Sequence, residues 1–203
     1  MKNQIKIVGF DLGGVYLTDC WGEHSRKAIA EKFGFDRLMS AEIEPLLKKV
    51  SRQMLLGQIN QDQLLKKLIP EIGDKLDKVK NFLLTFNQEQ FPETRQIILQ
   101  VKKKMPVAMM NDEGREWHEY RMKKFKLAEL FDHFFTSYDF GHYKIGNPQY
   151  FKKVLATLKI NPQQLMFIDN RQDCLEPANR LGIRTILFQN PSQLSDELMR
   201  HNL

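Results

Sequence analysis

The sequence predicts an α/β fold: a parallel sheet between two helical layers, with a block of helices inserted after the first strand. Short, β-rich apolar runs alternate with helical patterns over most of the chain, which is the mark of βαβ units. Between residues 16 and 91 no such run occurs, and only helical periodicity remains. Several of the apolar runs also end at a polar residue, as buried strands do where they open into loops.

Ile5–Phe10 is the first strand, ending abruptly at Asp11-Leu12-Gly13-Gly14. A helix over Ser25–Phe33 stops at Gly34. Ile43, Leu46, Leu47, Val50 and Met54 then form one apolar stripe at helical spacing. Asn60 and Gln63 have capping-box spacing and open a third helix, which Pro70 closes. Leu76, Val79, Leu83 and Phe86 mark a fourth. These four helices form a separate cap domain over residues 16–91, leaving 1–15 and 92–203 as the sheet-bearing core. Pro92 opens a helix with Ile97, Ile98 and Val101, and further strands are expected at Pro106–Met110, Phe134–Ser137, Leu165–Asp169 and Ile183–Phe188. Helices beginning near Pro148 and after Asp173 fill the intervals, the second ending at Gly182.

Composition sets bounds on function. The 203 residues, 42% hydrophobic and 28% charged, are ordinary for a globular chain long enough to bury a core. The net charge of +6 does not collect in one tail. Lys102–Lys104 and the run Arg121–Lys126 lie where helices are expected, so they read as solvated faces rather than a nucleic-acid site. Two distant cysteines, Cys20 and Cys174, exclude a disulfide framework or a cysteine-rich zinc site. With no signal-peptide h-region and no apolar run of roughly 18 residues, the expectation is a soluble, cytoplasmic protein without a membrane partner. Nothing in the pattern specifies an oligomer.

In an open parallel sheet, ligands bind beyond the carboxyl ends of the strands. The polar residues expected there are Asp11; Asn111 and Asp112; and Asp169, Asn170 and Asp173, with Lys144 in the loop after the third strand. Each has a bland alternative: a turn for Asp11, a helix cap for Asn111 or Asp173, a solvent-facing lysine for Lys144. His24, His118, His133, His142 and His201 lack metal-ligand spacing and read as surface or loop residues. Trp21 and Trp117 read as packing residues, Trp21 also as a candidate lining for the cap–core cleft.

Phe10–Val15 (FDLGGV), the Asn111 corner, Lys144 and Phe167–Asp173 (FIDNRQD) resemble, in order, the four motifs of the haloacid dehalogenase (HAD) superfamily, and the helical insertion resembles its C1 cap. The resemblance covers essentially the whole chain and implies a Rossmann-like core. It implies Asp11 as a nucleophile forming an aspartyl-phosphate, a step that divides one hard displacement into two easier ones. It further implies Mg²⁺ held by Asp11, the Gly13 carbonyl and Asp169, with Asp173 in the inner or outer sphere, Lys144 as catalytic and phosphate-binding cation, and Asn111 as a phosphate donor. The substrate class implied is a small phosphorylated metabolite.

Four positions depart from the family pattern. Gly13 stands where a second Asp, the general acid, is common, and Asp19 is one substitute. Met110 replaces the Ser or Thr of the second motif. Lys144 is followed by Ile145-Gly146-Asn147-Pro148 instead of Lys-Pro-Asp-Pro, and Asn170 replaces an acid. Two alternatives to a phosphatase follow: a catalytically weak or silent binding module, and a metal-free 2-haloacid dehalogenase.

Overall fold

The computed structural model describes residues 4–203, so the first three residues of the expected core segment 1–15 lie outside the described residues. Five strands form one parallel sheet in the order β3-β2-β1-β4-β5: β1 (Ile7–Phe10), β2 (Val107–Asn111), β3 (His133–Thr136), β4 (Leu165–Asp169) and β5 (Arg184–Leu187). The chain runs outward from β1 to β3, passes through the one-turn helix α8 (Ser137–Phe140), then crosses back to β4. The switch point therefore lies at β1, between β2 and β4.

Side-chain alternation divides the sheet into two cores. Val8, Phe10, Met109 and Ile168 pack with α5 (Pro92–Lys102), α7 (Leu127–Leu130) and α11 (Pro191–Arg200). Ile7, Ala108, Met110 and Phe167 pack against α9 (Pro148–Leu158) and α10 (Gln172–Arg180) on the other face. Asp11 and Asp169 continue this second face, because Phe10 pairs with Ile168 and the next residue on each strand points the opposite way. Gly9 lies on it too, where a Cβ would strike the Met110 sulfur. The glycine admits Met110, and Met110 fills the gap.

Residues between β1 and α5 form α1 (Glu23–Phe33), α2 (Glu44–Leu55), α3 (Gln61–Leu68) and α4 (Leu76–Thr85). Their stripes bury a separate cluster that includes Ile29, Leu47, Val50, Leu64 and Val79. The α1 helix ends on Gly34 at φ 76°, a left-handed C-cap. Asn60 and Gln63 make the reciprocal capping bonds at α3. The chain leaves and re-enters the core through two paired segments: Tyr16 O accepts from Phe91 N at 2.8 Å, and Thr18 N donates to Glu89 O at 3.0 Å. Trp117, from α6 (Arg115–Lys124), joins the inserted cluster and packs tilted against Trp21, ring centroids 5.9 Å apart.

Two expectations about charge are corrected. Arg121 is not on a solvated face: it is buried, donating to Gln88 Oε1, Glu113 Oε2 and the Thr18 carbonyl. His118 is not a free surface residue, since its Nδ1 lies 3.0 Å from Glu113 Oε1 and its side chain is 12% exposed. A buried guanidinium needs partners on all sides, and these come from three separate segments. Both cysteines are free and buried. Among the described residues, no helix is long and apolar enough to cross a membrane.

Candidate active site

The carboxyl ends of β1, β2 and β4 converge beneath the inserted helices on a cavity of about 270 Å³. Asp11, Gly13, Asn111, Asp112 and Lys144 line it from the core; Trp21, in the segment leading into α1, and Ser51 and Met54 of α2 line it from the insertion. Trp21 thus meets the expectation that it borders the cleft. His24, expected at the surface, is exposed and stacks on Phe86.

Lys144 organises the floor. Its ammonium donates to Asp11 Oδ1 at 2.6 Å, Asp169 Oδ2 at 2.7 Å and the Met110 carbonyl at 3.1 Å, so all three protons are used. Its backbone N–H is clasped by both oxygens of Asp112, at 3.1 and 2.9 Å. Pro177 frees an acceptor for the same loop. A proline inside α10 cannot donate to the carbonyl four residues back, which is that of Asp173. Gly146 N takes its place at 3.1 Å, docking the Lys144 loop onto the helix.

Burial and the neighbouring Asp169 charge push the Asp11 carboxyl up to about 8, although Lys144 pulls the other way. Burial likewise raises Asp112 to about 6. For Lys144, burial favours the neutral amine, but Asp11, Asp169 and Asp112 outweigh it and hold the proton well above the lysine range. Two carboxylates face one ammonium, and a third, Asp112, holds the backbone of the same lysine. That surplus of negative charge, carried by hard oxygen donors, fits a divalent cation such as Mg²⁺, which accepts two carboxylates and a backbone carbonyl and keeps its remaining waters. Asp11, Asp169 and the Gly13 carbonyl are the donors available.

Asn111 is 4% exposed and its Nδ2 has no partner among the described residues. It does not cap α6, whose N-cap is Gly114. The amide is therefore an unspent donor at the cavity wall. Asp173 is not brought into this group: its carboxylate is gripped by Arg171 at 3.1 and 2.7 Å and is half exposed. Cys20, also on the wall, is a neutral thiol pushed up to about 11 by burial.

Asp112 and the Glu113–Arg121–His118 group belong to no motif that is recognisable in the sequence. Asp112 was visible only as a polar residue at a strand end. Arg121 carried one usable signal, its position four residues after Trp117 and hence on the same helix face.

A parallel sheet whose switch point holds a buried carboxylate–lysine–carboxylate bridge under a helical insertion defines a hydrolase of the HAD type. The chain belongs to the haloacid dehalogenase-like hydrolase family, whose model matches residues 10–188. It is 24% identical over 212 residues to bifunctional epoxide hydrolase 2 of Mus musculus, spanning 96% of this chain but only 38% of that protein's length. Its fold is similar to a HAD family enzyme of Bacteroides thetaiotaomicron, with TM-score 0.81, 21% identity, and 92% and 94% of the two chains covered. That enzyme has also been solved in complex with magnesium and inorganic phosphate (TM-score 0.79, 21% identity, coverage 94% and 98%). An L-2-haloacid dehalogenase is similar at TM-score 0.62 and 20% identity, over 89% and 82% of the chains. At these identities the solved structures attest the fold alone.

Proposed function

We propose that this chain is a Mg²⁺-dependent phosphomonoesterase acting on a small phosphorylated metabolite through an aspartyl-phosphate on Asp11. The observation that carries the reading is the Lys144 ammonium locked between Asp11 and Asp169, with the unpartnered Asn111 amide on the wall of the same cavity. The magnesium–phosphate complex of the Bacteroides enzyme supports the choice of metal and ligand.

Asp11 Oδ1 is held by Lys144, which orients the carboxylate and leaves Oδ2, unbonded among the described residues, to attack phosphorus. The new Oδ–P bond forms as the ester P–O bond breaks; water then attacks phosphorus and the Oδ–P bond breaks, freeing Asp11. Asp11, Asp169 and the Gly13 carbonyl would hold Mg²⁺, which supplies positive charge against an anionic nucleophile and an anionic phosphate. Asn111 Nδ2 donates to a phosphoryl oxygen. With its three protons committed, Lys144 acts mainly by charge and by holding Asp11. In this reading residues 16–91 serve as the cap over the core of 1–15 and 92–203, excluding water and presenting Trp21 and Met54 to the substrate.

The test is release of inorganic phosphate from p-nitrophenyl phosphate, expected to require Mg²⁺ and to vanish in Asp11→Asn. Metal-independent halide release from 2-chloropropionate would transfer the reading to a dehalogenase. Failure on a broad panel of phosphate esters would leave a binding module.

A further inference from the structure

We propose that Asp19 is the general acid and base of this hydrolase, delivered from the segment leading into the inserted helices into the space left open by Gly13. The proposal deepens the phosphatase reading and rests on it. A Cβ built on Gly13 would run into Asp19 Oδ1, so the Asp19 carboxylate occupies the place of the side chain that position 13 lacks. Gly13 has no positive φ that would demand glycine; it is the Asp19 carboxylate that crowds out a side chain there.

The other charged side chains on the core side of the cavity wall are already engaged. Lys144 is saturated by Asp11, Asp169 and Met110. Asp112 clasps the Lys144 backbone, and Glu113 holds Arg121 and His118. The Asp19 carboxyl lines the same cavity, is solvent-exposed, and makes no hydrogen bond or ion pair among the described residues. Its main chain is nonetheless pinned, because both His24 Nε2 and Asn87 Nδ2 reach the Asp19 carbonyl at 3.1 Å. A fixed backbone with an uncommitted carboxyl in reach of solvent suits proton transfer.

The proton balance is simple. As the ester P–O bond breaks, the Asp19 carboxylic acid gives its proton to the departing alkoxide oxygen. The carboxylate then takes a proton from the water whose oxygen bonds to phosphorus, and the acid is restored as Asp11 leaves.

The experiment compares wild type with Asp19→Asn on an alkyl phosphate, whose alcohol leaves poorly, and on p-nitrophenyl phosphate, whose phenolate departs unaided. We expect kcat/KM to fall about 10²–10⁴-fold on the alkyl ester and less than about 10-fold on the aryl ester. Binding of vanadate and the melting temperature, read without turnover, report that the anion pocket and fold persist. A second variant combines Asp19→Ala with Gly13→Asp, returning a carboxylate to the same space; it should recover much of the alkyl activity. Equal losses on both esters, or no loss on the alkyl ester, overturn the proposal while leaving the phosphatase reading intact. A wild-type chain that releases phosphate from neither ester removes the reading and the proposal together.

Discussion

Lys144 and Asp11, 133 residues apart in the chain, meet at 2.6 Å in a site where the lysine is 2% and the aspartate 6% exposed. Taking two charges out of water is costly, and such a pair persists only where each charge is answered. Here the answer is unequal, because Asp169 and Asp112 add negative charge that a single ammonium does not balance.

Removing Lys144 leaves those carboxylates uncompensated. Lys144→Met should destabilise the protein by about 3–5 kcal/mol, a fall in Tm of about 10 °C for a chain of this size. Phosphate release should drop by at least about 10²-fold. Thermal melts at pH 5 and pH 8 separate the causes. The loss should shrink at the lower pH, where the carboxyls take up protons.

Asp11 makes stability depend on pH in the opposite sense from an ordinary salt-bridged aspartate. Its folded-state value, about 8, lies above the usual carboxylate value of 3.8, so the folded chain binds the extra proton. Its contribution is favourable at low pH and is lost as pH rises towards 8. In chelator, Tm should fall between pH 6 and pH 8.5. Added Mg²⁺ should flatten that slope, and Asp11→Asn should largely abolish it.

Arg121 distinguishes a buried network from a basic surface. Arg121→Ala strands Glu113 without its cation and should cost about 3–5 kcal/mol. Lys123→Ala, two residues away in the same basic run, should stay within about 0.5 kcal/mol. Urea melts of the two variants provide the comparison. Similar midpoints would contradict the buried network.

Asn60→Ala removes a side chain that accepts from Gln63 N at 2.9 Å. The expected loss is about 1 kcal/mol, or about 2–4 °C in Tm, with kcat unaffected. A large fall in kcat would instead tie the α3 terminus to the chemistry.

Much of this was legible in the sequence because it is local. The strand expected at Leu165–Asp169 matches β4 residue for residue, and the Asn60–Gln63 box is a spacing of three residues. Asp11, Asn111 and Asp169 could be placed because strand ends are themselves local features, and parallel pairing then brings them together. Arg121 could not be placed, since its partners Gln88, Glu113 and Thr18 come from different segments and only the tertiary fold assembles them. Asp173 shows the converse: its neighbour Arg171 takes up a carboxylate whose position in the motif points to the site. The α11 helix, beyond the last strand, carries its own local signals in the Asn190 cap, Pro191, Leu194 and Leu198.

The most direct measurement is to mix the protein with a phosphate ester and Mg²⁺, quench in acid within the first turnover, and map the phosphoryl group by mass spectrometry. A phosphoryl group on the peptide containing Asp11, absent in Asp11→Asn, is the predicted result. Phosphate release with an unmodified Asp11, or a phosphoryl group on another residue, would contradict a carboxylate nucleophile at the end of β1.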